Sequence, residues 1–219
     1  LIGDNYSLLQ VMSRFGLSLG FGDKTVKEVC EMNNVDCQTF LVVVNFMAEG
    51  FSRMDGSADD ISIPALVGYL RQAHIYFLDY CLPAIRRKLI EAIDCSQDDV
   101  SFLILKFFDG YMREVRKHME YEEKTVFKYV DTLIHGNAPK NYQISTFSKH
   151  HDQVGERLTE LKNIIIKYCP AKANTNVLNA ALFDIYACEE GLESHCKVED
   201  YLFVPAILKL ERRMRENEK

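Results

Sequence analysis

The sequence predicts an all-α protein, an antiparallel four-helix bundle preceded by a small helical N-terminal domain. Three observations carry this prediction. Apolar residues recur at steps of three and four over long stretches of the chain. Glycine and proline number only 11 and 5 in 219 residues, too few to punctuate many short strands. The joints between the long stretches are short, which favours antiparallel neighbours.

Taken in order, residues 1–50 read as short helices. Tyr6–Phe15 forms the first. GLSLGFGDK, with three glycines, is a loop, and Thr25 then caps a segment running to about Met32. Asp36 caps CQTFLVVVNFM. A polar break, EGFSRMDGSADD, comes next, and residues 51–61 are assigned to a linker. The bundle occupies 62–219. Its first helix begins near Ser62, with Pro64 in the opening turn where a missing N–H costs nothing, and runs to about Ile93. The second starts around Ser96–Asp99 and ends at His135-Gly136, glycine suiting the position just past a helix end. The third runs from about Ser145 to Tyr168 and is stopped by Pro170. The fourth starts near Asn174–Thr175 and continues to about Arg213.

Composition narrows the function. Hydrophobic content of 47% with 26% charged residues is ordinary for a globular chain. The longest apolar run, FLVVV at 40–44, stops at Asn45, so no membrane span is expected. LIGDNYSLL lacks the features of a secretory leader. Seven cysteines, an odd number without a CxxC pair, argue for reduced thiols in a cytoplasm rather than a disulfide framework. A net charge of −6 argues against nucleic acid as partner. TVKEVCEMNNVDCQTFL reads loosely as helix-turn-helix. Arg14, Lys24, Lys27 and Arg53 are nevertheless outnumbered by the acidic residues before position 61, which favours a docking module over a DNA reader.

The chemistry lies in two histidine–glutamate pairs. In the second helix Ile104, Phe108, Tyr111, Val115, His118, Glu122, Val126 and Tyr129 share one face; in the fourth, Ala181, Ile185, Cys188, Leu192, His195, Glu199, Leu202 and Ala206 do. Both pairs therefore sit inside apolar stripes, where an imidazole and a carboxylate are costly unless something compensates them. His74 lies on the first helix with Val67, Leu70, Phe77, Cys81 and Ile85. His151 lies on the third with Phe147, Val154, Leu158, Leu161 and Ile165, while His150 shares a face with Arg157 and is placed at the rim. A lone inward histidine is most often a satisfied core residue. Four of the six in the chain, two with glutamate four residues on, reverse that expectation.

His74, His118, Glu122, His151, His195 and Glu199 form a nitrogen and oxygen set suited to iron, manganese or zinc. Six ligands exceed the need of one tetrahedral zinc. Two metals, each with two imidazoles and bridged by both carboxylates, use every ligand, and with an added oxygen bridge each keeps about one open position. His135 falls outside the set and reads as a helix C-terminal residue favoured by the dipole. Glu114, one turn before His118, is weighed as a hydrogen-bonding support for it against a solvated surface charge.

These residues resemble the hemerythrin-like (HHE cation-binding) family of di-iron four-helix bundles, over about residues 62–212. The matching stretches are HIYFLDYCLPAI with His74, HMEYEEKTVF with His118 and Glu122, HDQVGE with His151, and HCKVEDYLFVP with His195 and Glu199. The resemblance implies two iron ions with an oxo or hydroxo bridge, in preference to manganese or zinc. It points to the iron–sulfur cluster repair branch: where oxygen carriers have a further histidine, this chain has Gly155, and HDQVGE looks like the repair proteins' third-helix motif. The same resemblance implies a cytoplasmic stress protein meeting NO, O2 or peroxide, with iron–sulfur proteins as partners and a homodimer left open. A non-enzymatic O2 or NO binding or sensing protein is the alternative. Residues 5–47 look like the small domain preceding the bundle in the repair proteins. FGLSLGFGDKTVKEVC, however, lacks the adjacent cysteines commonly found after that domain's FG turn.

Overall fold

A computed structural model describes residues 2–3, 5–49, 61–93, 99–137, 142–149, 154–170 and 173–217. Every regular element among them is helical, so the all-α expectation holds. The α-helices are α1 (Leu8–Arg14), α2 (Val26–Met32), α3 (Cys37–Glu49), α4 (Ile63–Ile75), α5 (Leu82–Ala92), α6 (Asp99–Tyr121), α7 (Phe127–Ile134), α8 (Val154–Tyr168), α9 (Thr175–Val198) and α10 (Val204–Asn217). A 3₁₀ turn covers Ile144–Lys149. Nearly all of the expected linker lies outside the described residues. No helix among those described is long and apolar enough to cross a membrane.

Local chemistry sets the helix ends. The Thr25 side chain accepts from the Glu28 amide while the Glu28 carboxylate accepts from the Thr25 amide, a reciprocal cap on α2. Asp36 Oδ1 accepts from the Thr39 amide at 2.7 Å and starts α3. Helices α1, α2 and α7 all end on a residue in the left-handed region: Gly16 (φ 74°), Asn34 (φ 53°) and Gly136 (φ 81°). In each, the amide one residue later bonds back across the last turn: Leu17 to Met12, Val35 to Cys30, and Asn137 to Thr132.

Three interruptions are less ordinary. Tyr76–Cys81, Glu122–Val126 and Glu199–Phe203 are π-helical, each joining two α-helices end to end. A π turn takes in an extra residue, so the buried stripe changes register beyond it. The sequence places Ala206 on the inner face of α10, but Ala206 is only partly buried and Ile207 is fully buried. Similarly, Tyr129 is joined inside by Phe127 and Val130.

The described chain divides into two compact units. The first comprises Leu1–Ala73, Val126–Ser148 and His195–Lys219. Its core gathers α1–α3 with residues of α4, α7 and α10, and Leu66, Leu70, Phe127, Phe147, Phe203 and Ile207 are inaccessible to within 1%. Burying each such side chain stabilises the fold by about 1.5–3 kcal/mol. Polar contacts fix the packing: buried Arg14 donates to the Tyr69 hydroxyl at 3.1 Å, and the Ser62 amide donates to Thr39 Oγ1 at 2.8 Å. Buried Glu211 accepts from the Tyr129 hydroxyl at 2.6 Å and the Ile144 amide at 3.0 Å.

The second unit, His74–Thr125 and Lys149–Ser194, contains α5, α6, α8 and the greater part of α9. Ion pairs clamp successive neighbours around this ring. Arg86 meets Asp109 between α5 and α6, Arg157 meets Glu114 between α6 and α8, Lys162 meets Glu189 between α8 and α9, and Lys88 meets Asp184 between α5 and α9. The Asn174 amide bonds the Ala92 carbonyl at 2.8 Å, placing the start of α9 at the end of α5. The two helices therefore run antiparallel.

Candidate metal centre

His118 and Glu122 are one helical turn apart, as are His195 and Glu199, so their side chains meet along one face. His118 Nε2 lies 2.8 Å from Glu122 Oε1, and His195 Nε2 lies 3.4 Å from Glu199 Oε1. Each glutamate is the first residue of a π turn, a feature often found where a helix carries a functional group. Both glutamates are fully buried, as are His74 and His195 to within 3%.

A second helix supplies the other half of the Glu122 environment. His74, near the end of α4, brings Nε2 to 2.9 Å from Glu122 Oε2. Each oxygen of one buried carboxylate thus faces a different imidazole. The second nitrogen of His74, Nδ1, lies 3.0 Å from Glu123 Oε1. Burial pulls the His74 pKa down, but the hydrogen bonds and charges of Glu122 and Glu123 outweigh it, and the net shift is upward. His74, Glu122, His195 and Glu199 are all buried and are of the residue types that could hold a metal ion.

These separations suit a cation. Donor atoms about 2.1 Å from one ion and at right angles to each other are about 3 Å apart, close to the 2.8 and 2.9 Å seen around Glu122. Imidazole nitrogen and carboxylate oxygen are also the donor types that first-row metals of intermediate softness prefer. A π turn beginning at Glu122 and another at Glu199 add to the fit.

The Hemerythrin HHE cation binding domain model matches residues 65–207. This chain belongs to the hemerythrin HHE cation-binding family. Comparison with curated proteins gives no match. Family membership and the His/Glu group together fit a metal-binding protein.

Among the six site residues expected from this hemerythrin-like sequence, the structure describes His74, His118, Glu122, His195 and Glu199; His151, like His150, lies outside the described residues. His135 caps the end of α7, its Nδ1 bonding the Asp131 carbonyl at 2.8 Å. Among the described residues Glu114 supports no histidine. It accepts from Arg157 at 2.5 Å on an exposed surface. Glu123 takes the supporting role instead, one that the stripe pattern hides because position 123 is only half turned toward the core. The repeated step of four, His118 to Glu122 to Val126, was the available signal for the π turn. In a straight α-helix each such step overshoots by about 40°, and a wider turn absorbs the excess.

Proposed function

We propose that this chain is a non-haem di-iron protein of nitrosative and oxidative stress, acting in iron–sulfur cluster repair through NO or reactive-oxygen handling or through iron donation. His74, His118, His151 and His195 would hold the two ions as terminal ligands, together with the carboxylates of Glu122 and Glu199, which would be shared between them. Iron is preferred to manganese or zinc on the resemblance, since these donors accept all three. Residues 1–50 act as a small helical docking domain, 51–61 as a linker and 62–219 as the bundle, in a cytoplasmic protein.

The observation that carries this reading is the buried Glu122 carboxylate, with separate imidazoles at 2.9 and 2.8 Å from its two oxygens. That is the arrangement a carboxylate needs to span two ions. Gly155, standing where oxygen carriers have a histidine, supports repair over oxygen storage. When bound, an iron pair with open positions supplies redox chemistry toward NO, O2 or peroxide. The chain's own residues position and enclose it. Glu123 holds the His74 ring through Nδ1, which leaves Nε2 directed at Glu122. Phe77 and Val115, buried on the same helical faces as His74 and His118, keep the surroundings apolar.

Metal analysis after anaerobic purification tests the assignment, with about two irons per chain expected from the ligand count. His118→Ala should sharply lower the iron content, and a His118→Ala protein retaining both irons excludes the ligand set. NO titration of the reduced protein then separates the two functional forms. Catalytic consumption under a supplied reductant indicates an enzyme, whereas stoichiometric uptake indicates a binding or sensing protein.

A further inference from the structure

The loop GLSLGFGDK carries Leu17, Leu19 and Phe21 where a surface turn is usually polar. Its glycines allow it to use them. Gly20 and Gly22 take positive φ, at 88° and 61°, which lets so short a segment double back. Leu17 is buried and Phe21 half-buried, whereas Leu19 stays exposed.

Leu17 and Phe21 help to wall a cavity of about 260 Å³ that lies within the first unit. Leu8 and Met12 of α1, Val29 of α2, and Phe40 and Val44 of α3 form most of the remaining wall, and all five are buried. Contacts within the fold hold these walls in place. The Leu17 amide bonds the Met12 carbonyl at 2.9 Å, and Phe15 meets the Phe40 ring edge-on with centroids 5.4 Å apart. Packed interiors hold few voids larger than a water molecule. A preformed apolar space of this size therefore has the character of a ligand pocket.

The lining is graded from apolar to charged. Among the described residues around the cavity Lys24 alone is polar, and it is exposed, as is Val26. These two mark the mouth and the buried residues the floor. The Lys24 ammonium donates to the Phe21 carbonyl at 3.4 Å, which keeps it beside the loop. Glu28 is engaged elsewhere, its carboxylate accepting from the Thr25 amide and hydroxyl at 2.8 and 2.7 Å.

We propose that this cavity binds the anion of a straight-chain carboxylic acid of about ten carbons, tail inward and carboxylate on Lys24. The length follows from the volume. An apolar cavity of about 150 Å³ takes up benzene, and scaling to the space here gives about ten carbons. The head follows from the single cation at the mouth. A ligand polar along its whole length would leave its donors and acceptors unpaired against Leu, Met, Val and Phe. None of the lining residues belongs to the proposed metal set, so the site does not depend on that assignment.

Isothermal titration of the full-length chain with sodium decanoate, kept well below micelle-forming concentrations, tests the proposal. Saturable binding of one decanoate per chain is expected. From hexanoate upward, affinity should rise about fourfold per added methylene and level off near decanoate. Lys24→Gln should weaken decanoate about two- to fivefold and leave decanol unchanged. Val44→Phe, which fills the cavity, should abolish binding of both, with circular dichroism confirming the helices. Should that variant fail to fold, the length series and Lys24→Gln decide the question. The proposal is overturned if binding does not saturate, if affinity keeps climbing beyond about twelve carbons as in unspecific partitioning, or if Lys24→Gln binds decanoate as wild type does. Decanoate binding that survives in folded Val44→Phe overturns it too. So does binding to phosphatidylglycerol vesicles without binding to decanoate, which assigns the face to a lipid surface.

Discussion

Replacement of Glu123 should weaken metal binding although this residue touches no proposed bridging atom. Its Oε1 lies 3.0 Å from His74 Nδ1. A hydrogen bond with an ionised partner is worth about 1.5–3 kcal/mol. The Glu123 side chain is 35% exposed, so solvent screening places the value near the lower end, about 1.4 kcal/mol, or tenfold in affinity. That agrees with the lower part of the roughly 10–100-fold cost typical of losing a partner that orients a ligand histidine. Glu123→Gln keeps an acceptor oxygen without the charge, and Glu123→Ala removes both. The expected order of affinity is therefore wild type, then Gln, then Ala, the last about tenfold weaker. Competition against a chelator of known affinity reads this directly, with circular dichroism confirming the fold. Glu120→Gln serves as control, because Glu120 pairs with Lys124 on the surface. Equal affinities for wild type and Glu123→Ala, or an equal loss in Glu120→Gln, would refute a positioning role.

Three further outcomes are expected. Glu211→Ala strips acceptors from the buried Tyr129 hydroxyl and Ile144 amide and should cost about 2–4 kcal/mol in urea unfolding, against about 1 kcal/mol for Tyr129→Phe. Hydrogen bonding to Arg86 lowers the Asp109 pKa, so the pair stabilises the fold at neutral pH and the gain disappears as pH falls through the depressed value, on the acid side of the ordinary aspartate range. With both side chains substantially exposed, Arg86→Ala should cost under about 1 kcal/mol at pH 7, and its stability curve should converge with wild type in acid. Thr25→Ala should cost about 1 kcal/mol by removing the reciprocal cap of α2, seen as faster amide exchange at Glu28.

Much of this molecule is legible in one dimension. Thr25, Asp36 and Gly136 mark helix ends through bonds to residues two to four positions away, so their roles are contained in the local sequence. The approach of His118 to Glu122 and of His195 to Glu199 follows for the same reason, since one helical turn brings the members of each pair together. Periodicity also puts His74 on a buried face.

Periodicity specifies the face a residue occupies, but not the partner opposite it or its height along the neighbouring helix. Only tertiary packing decided that His74 meets Glu122 and Glu123 and that Glu114 turns outward to Arg157. Packing likewise decided the π turns and the exchange of Ala206 for Ile207 in the core. An extra residue per turn forfeits regular backbone hydrogen bonds, and a helix accepts that loss where contacts with other helices hold its side chains in a fixed register.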